Sequence, residues 1–427
     1  MEEERHCDKN KNKNKVFLFL FYVHLLLITI LVIFLTIKGF LLSSSTTVCA
    51  CHRFHPRHWY PPLLISSSFA ALLAFLFLVA ATHKLRVTFW VSPLLTCGSG
   101  FLFLYIGTSG SFVVAVFTLV FALIQSVYTC WVVPRMDYAT RLLSVSLPSG
   151  SVLVTNMCSV AGAIVIGTVF SCFLVLGMGG ARAIFTIQRW FYFLYMFLII
   201  LSLAWGMHVI RSVLHIAISR VGYMYFTQQR VELDLRQALN DAMKYSLGSA
   251  CLGSALVLLL GIVQGSARAM VSVAGDTDEF MFSCASCYSG IARKVVAYGN
   301  RWGFVHVGVY GKGIVKASRD VWETFRKVGM ESVIDSDLTS SFCFLCGVAG
   351  GSACSLVGGS WAVVVEKSYA TEVSIYGFLI GYFIVRIAMS LTEAWVSAYY
   401  VAYADNPQSL DFDSTIRDRI KKLQQAS

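Results

Sequence analysis

"AWGMHVIRSVLHIAISRVGYMYF" occupies residues 204–226, and its reading decides the fold. It is apolar enough for a membrane helix, yet it carries His208, Arg211, His215 and Arg220. At about 100° per residue, His208, Arg211, Ser212, His215, Ser219 and Gly222 fall on one stripe, with Tyr223 at its edge and Phe226 at its end. Val209, Ile210, Val213, Ile216, Ala217, Ile218 and Val221 cover the rest of the circumference. Polar groups ordered in this way must face protein, water or a cavity, because hydrocarbon leaves them unpaired. Arg220 lies off the stripe, where its long stem can reach lipid headgroups. No Pro or Asn-Gly separates this stretch from the apolar run before it. Residues 190–226 therefore read as one long helix, about 55 Å from end to end.

Composition agrees with a membrane setting. Of 427 residues, 57% are hydrophobic and 13% charged; soluble domains carry about a quarter charged residues. The formal charge of +11 sits mostly in loops and at helix ends, as membrane topology requires. It is not a nucleic-acid footprint, and no nucleic-acid partner is expected. The expected fold is an all-α polytopic membrane protein of about ten transmembrane helices with no separate soluble domain.

The first apolar run, 16–37, is long enough to span and too long for a signal-peptide core. It reads as an uncleaved anchor behind a basic cytoplasmic tail, 1–15. Further runs cover 63–81, 87–107, 111–133, 152–177, 190–226, 246–264, 338–365 and 371–397. With nine spans, more Lys and Arg fall outside than inside, against the positive-inside rule. A tenth crossing restores the balance, supplied either by 209–226 or by the weakly apolar 296–317. With ten, the transporter domain covers 16–405, and a second cytoplasmic tail, 406–427, contains a short surface helix.

Three stretches carry a family resemblance. "GSACLGSALV" (248–257) is similar to a Gly-Ser-x-Cys/Ala-x-Gly-Ser motif. "NRWGFVHVGVYGKGIVKASRD" (300–320) matches an Asn-Arg…Tyr-Gly-Lys segment at Asn300, Arg301, Tyr310, Gly311, Lys312 and Asp320. The closing "IGYFIVRIAMSLTEAWVSAYYVAYADNP" is the third. Together they resemble the choline transporter-like family, built on ten spans, and the chain looks like its short, plant-type members. The order holds from about 60 to 407. Ser397-Ala398 stands where the family usually carries Asp-Thr, which puts any role of that pair in doubt. The resemblance favours 296–317 as the tenth span. It implies a non-enzymatic carrier, without a cofactor, for choline or a related small organic cation, at the plasma membrane or in a Golgi or vesicle membrane. The alternative is a non-transporting membrane protein of lipid homeostasis or trafficking.

A quaternary ammonium is held by aromatic faces and a nearby acid. Tyr382, Arg386, Met389 and Glu393 share one face at helical spacing, with Trp395 just beyond. On the long helix, Trp205, His208 and His215 are candidates to line a pathway, and Arg211 and Arg386 to serve that pathway or an ion pair. For Arg386 and Glu393 two readings stand: a structural pair, or contact with substrate or coupling ion. Glycines one turn apart, Gly347 with Gly351 and Gly377 with Gly381, point to close helix packing, and the Gly-rich 347–359 admits a broken helix. Cys49, Cys51, His52, His55 and His58 crowd one loop, but their spacing fits no standard zinc module, and no metal is assigned to them. Cys284/Cys287 and Cys343/Cys346 are given none either. Nucleotide-binding and hydrolase signatures are missing from the sequence.

Overall fold

The computed structural model describes residues 2–44, 54–80, 85–148, 150–184, 189–227, 234–256, 300–407 and 412–426, and among these the regular elements are all helical. The reason is solvent: in hydrocarbon, each backbone N–H and C=O must find its partner within the segment, which a helix achieves alone. Eight helices among the described residues are long and apolar enough to cross a membrane. The chain is an all-α, multi-pass membrane protein.

Two compact units divide the chain: Tyr22–Arg211 with Leu338–Thr392, and Met1–Phe21 with Ser212–Asp337 and Glu393–Ser427. They are called here the neutral unit and the charged unit. The helices of the first are α1 (Glu2–Ser44), shared with the other, then α2 (Pro56–Ala80), α3 (Leu85–Ile106), α4 (Ser109–Val132), α5 (Met136–Ser146) and α6 (Ser151–Ile184). The long α7 (Arg189–Phe226) belongs to it as far as Arg211. The turn from α3 to α4 shows how local chemistry sets a boundary. Gly107 takes a left-handed φ of 73°, and Thr108 caps α4 by accepting from Ser111 N at 3.1 Å while Ser111 Oγ accepts from Thr108 N at 2.9 Å.

After α7, the charged unit continues through α8 (Leu235–Asp241), a π-helical turn (Ala242–Ser246) and helical residues 247–256. The expected 246–264 span is thus described only in its first part. Two short helices follow, α9 (Gly303–Tyr310) and α10 (Ile314–Val328), then α11 (Glu331–Asp335). The expected span at 296–317 is not one continuous helix in its described part. Its described part breaks at Gly311, which adopts a left-handed φ of 64°, and α10 restarts after Gly313. Eight residues cover only about 12 Å, and α10 buries Ile314, Ala317, Val321 and Phe325 while carrying six charged residues. It is an amphipathic helix packed on α9.

The remaining helices are α12 (Thr339–Val365), α13 (Ala370–Ala388), α14 (Ser390–Asp405) and α15 (Thr415–Ala426). The Gly-rich stretch is an unbroken part of α12 and not a hinge. Its glycines are contact surfaces. A Cβ on Gly350 would lie 2.5 Å from Val385 Cγ2, and one on Gly351 2.7 Å from the Phe378 carbonyl. Bare backbone is what lets α12 and α13 form the core of the neutral unit.

Candidate functional site

The polar stripe of α7 is buried. His208 is 9% exposed and His215 3%; Ser212, Ser219 and Tyr223 are buried with them, and Arg211 is half-buried. The beginning of the same helix is the opposite: Trp190 is 88% exposed, and Phe193 and Phe197 also lie open. A helix that shows rings outward and folds its imidazoles inward obeys the cost of charge in hydrocarbon.

Within the neutral unit, His208 meets Phe383 edge-on with centroids 5.6 Å apart, and Trp205 lies 4.9 Å from His24. His24 Nε2 is in turn 3.1 Å from Ser202 Oγ. Arg386 is buried against Gly347, where a Cβ would come within 2.8 Å of its stem and 3.0 Å of Tyr382. Gly347 therefore shapes the bed of both candidate residues on α13. A hydroxyl–amide network that sequence reading missed ties three helices here. Ser92 Oγ donates to Gln125 Oε1 (2.8 Å), Gln125 Nε2 donates to Thr96 Oγ1 (3.2 Å), and Thr96 meets Ser352 Oγ at 3.2 Å.

The expected single face of Tyr382, Arg386, Met389 and Glu393 is interrupted. Helix α13 ends at Ala388 and α14 begins at Ser390. The Ser390 hydroxyl donates to the Ile387 carbonyl at 2.7 Å, and the Met389 carbonyl accepts from Cys343 Sγ at 3.7 Å. Both bonds compete with the helical ladder. Arg386 and Glu393 fall in different units.

Within the charged unit, Glu393 finds a partner far away in sequence: its Oε1 lies 3.6 Å from Arg301 Nη1. The same guanidinium pairs with Asp337, and its side chain is 10% exposed against 1% for Asp337 and 4% for Glu393. Asn300 builds the turn that delivers Arg301. Its Nδ2 donates to the Ser318 carbonyl at 3.0 Å, and its Oδ1 accepts from Gly303 N at 2.9 Å. The Asn-Arg pair of the motif thus acts as a bracket and a buried cation. Next to it, Lys312 Nζ sits 2.5 Å from Asp320 and 5.2 Å from the Tyr310 ring centroid. Tyr310 meets Tyr223 OH at 3.0 Å, and Tyr223 donates to Asp405 Oδ2 at 2.9 Å.

His215 packs 5.4 Å from Phe304. Trp395 is completely buried, edge-on to Tyr225 and Phe226 at 5.6 and 5.8 Å. Gly222 makes room for it, since a Cβ there would stand 3.1 Å from the indole. The interior of this unit thus brings a carboxylate, a guanidinium and several aromatic rings onto the helices that follow Arg211.

Cys49, Cys51, His52, Cys284 and Cys287 lie outside the described residues. His55 and His58 have ring centroids 5.8 Å apart. Among the described residues, no three His, Cys, Asp or Glu side chains gather as a metal site would require.

The fold and the buried polar stripe define a polytopic, all-helical membrane protein that keeps part of its ionisable side chains inside. The family described as plasma-membrane choline transporter matches residues 116–408, more than half of the chain, and the chain belongs to it. It is also 25% identical over 219 residues to Protein PNS1 of Gibberella zeae, covering 48% of this chain and 41% of that protein. Protein PNS1 of Debaryomyces hansenii is 25% identical over 233 residues, 50% of this chain and 44% of its own length. Protein PNS1 of Mycosarcoma maydis is 26% identical over 235 residues, 50% and 43%. The matches span less than half the length of these curated relatives.

Proposed function

We propose that this protein is a carrier that moves choline or a related organic cation, such as ethanolamine, across the plasma membrane by alternating access. The observation that carries the reading is the burial of His208, His215, Arg386 and Glu393, each at most 9% exposed, in a chain whose outer surface is rich in bare aliphatic and aromatic side chains. Such groups are costly in a bilayer unless they are paired or face an interior pathway, and they mark such pathways often enough to support the reading. Membership of a family described as plasma-membrane choline transporter supports the choice of a choline-like substrate.

In this reading Trp205 and Tyr382 of the neutral unit, and separately Trp395 of the charged unit, are aromatic faces suited to a quaternary ammonium, each worth about 0.5–2 kcal/mol. Glu393 supplies the acid, held in place by Arg301. His208 and His215 line the route, and Arg211 and Arg386 balance charge along it. Trp395 is fully buried against Tyr225, Phe226 and Gly222, so its part in this reading requires a second conformation of alternating access.

The test is uptake of labelled choline into proteoliposomes by the wild type, Trp205→Ala and Glu393→Gln. The reading expects uptake by the wild type and loss by at least tenfold in Glu393→Gln, about 1.4 kcal/mol or more of lost stabilisation. Equal uptake by all three removes the assigned residues. No uptake by any of them, from monodisperse protein, favours a non-transporting role in lipid homeostasis or trafficking.

A further inference from the structure

A groove of about 250 Å³ opens in the charged unit among α7, α8, the π-helical turn and α9, and none of its lining residues has a part in the carrier reading above. One part of its wall is aliphatic, with Ile216, Ala242 and Val307 among its residues, and the rest is polar. The concavity follows from small side chains. Gly308 must lack a Cβ because Ile216 O would lie 2.7 Å from it, and that close approach brings α9 against α7.

Into this hollow the chain places one ion pair and one phenol. Arg220 Nη1 donates to Asp241 Oδ2 at 2.8 Å, and both side chains are close to 30% exposed. A guanidinium has five N–H donors, so the bond to Asp241 leaves most of them for another acceptor. A carboxylate likewise has a second oxygen. Tyr245 stands at the mouth, 81% exposed. It sits within the π turn, where the extra residue rotates the side chain out of the α register; such turns recur at functional sites.

We propose that this groove binds a phosphate ester that also carries a positively charged amine, the chemistry of a zwitterionic phospholipid headgroup. The free donors of Arg220 take the phosphate, in the planar fork geometry that suits it. Asp241 and the face of Tyr245 take the ammonium. The aliphatic wall takes the first methylenes of an acyl chain, which favours a bilayer lipid over a soluble phosphate ester as the source. With the Arg220–Asp241 bond kept, a zwitterion places each of its charges against the opposite partner, whereas a purely anionic or purely cationic ligand matches only one of the two.

The experiment uses the full chain purified in a maltoside detergent, which supplies no headgroup of its own. Its unfolding midpoint is followed with monomeric dihexanoyl-phosphatidylcholine, phosphocholine, dihexanoyl-phosphatidylglycerol and choline chloride. The expected result is an upward shift of about 2 °C or more with the first, and its loss in Arg220→Gln and in Tyr245→Ala. Tyr245 is open to solvent, so its variant folds even if the Arg220 variant does not. A shift with phosphocholine equal to that with the lipid assigns the site to a soluble ester of the same chemistry. The proposal is overturned if neither zwitterion shifts the midpoint, if the phosphatidylglycerol shift matches the phosphatidylcholine shift, or if Tyr245→Ala responds like the wild type. The midpoint needs no transport, so this outcome is independent of the uptake assay.

Discussion

Both units use close glycine contacts, but they differ in the polar chemistry that fills the rest of their interiors. The neutral unit relies on bare glycine backbone and on hydroxyls: Gly350 against Val385, Gly180 against Leu35, and the Ser92–Gln125–Thr96–Ser352 network. Its Arg182–Glu372 pair, 3.0 Å long, is 19% and 26% exposed and lies near helix ends. Arg386 is its one deeply placed cation among the described candidates, cushioned by Gly347. The charged unit instead buries Arg301 between two carboxylates and lays aromatic rings edge to edge around Trp395. Small residues give close approach at low cost and little chemistry. Buried ions give chemistry at the cost of a desolvation that only an intact network offsets.

The sharpest way to break this contrast is to remove the shared cation. Arg301→Met strands Asp337 and Glu393 together in a buried site. Breaking a buried network from one side typically destabilises by about 3–5 kcal/mol. Thermal unfolding of the purified variant should show the largest loss of any substitution named here. A midpoint close to the wild type would mean that the two carboxylates are protonated or hydrated at little cost, and the contrast between units would fall.

Gly180→Val tests the other unit at its tightest point. A Cβ at Gly180 would lie 2.2 Å from the Leu35 carbonyl oxygen and 2.4 Å from its carbon. Backbone cannot swing aside as a side-chain tip can, so about 3 kcal/mol of overpacking cost is expected. Size-exclusion yield and unfolding midpoint read it. Gln125→Leu should cost less, about 1–2 kcal/mol, because it leaves the Ser92 hydroxyl without its acceptor while preserving volume. If Gln125→Leu proves neutral, the hydroxyl network fills space without contributing hydrogen-bond energy.

The legible part of this protein was the part written in local periodicity. The α7 stripe could be read because a 3.6-residue repeat places His208, Ser212, His215 and Ser219 together whatever lies around them. Long apolar runs announced helices for the same reason. What failed depended on single residues or on distant ones. The expected span at 296–317 scored as apolar on average, but Gly311 and Gly313 turn the chain twice, and an average does not register a left-handed glycine. The Tyr382–Glu393 face assumed an unbroken helix, whereas the helix is interrupted at Met389, beside a thiol 46 positions earlier and a neighbouring hydroxyl that both bond local carbonyls. Arg301 and Asp337 as neighbours of Glu393 left no local signal, since no spacing rule links residues that far apart. The match of Asn300 and Arg301 to the family segment marked the position without giving its purpose.

The smallest expected effect sits at Tyr223, and it separates a hierarchy from a chain of equals. Its hydroxyl donates to Asp405 at 2.9 Å and meets Tyr310 OH at 3.0 Å. One proton cannot serve both, so with Asp405 as acceptor, Tyr310 must be the donor to Tyr223. Tyr223→Phe then removes a part-exposed bond and leaves the Tyr310 proton to water, for a loss of about 0.5–1.5 kcal/mol. Tyr310→Phe removes only the weaker, half-solvated donor, because Tyr310 is 51% exposed and water replaces it easily. The Tyr223→Phe/Tyr310→Phe double variant should therefore match Tyr223→Phe alone within about 0.5 kcal/mol. Should Tyr310→Phe cost as much as Tyr223→Phe, with the two losses adding, the phenols act independently, and the Asp405 bond is not what orders the end of α7.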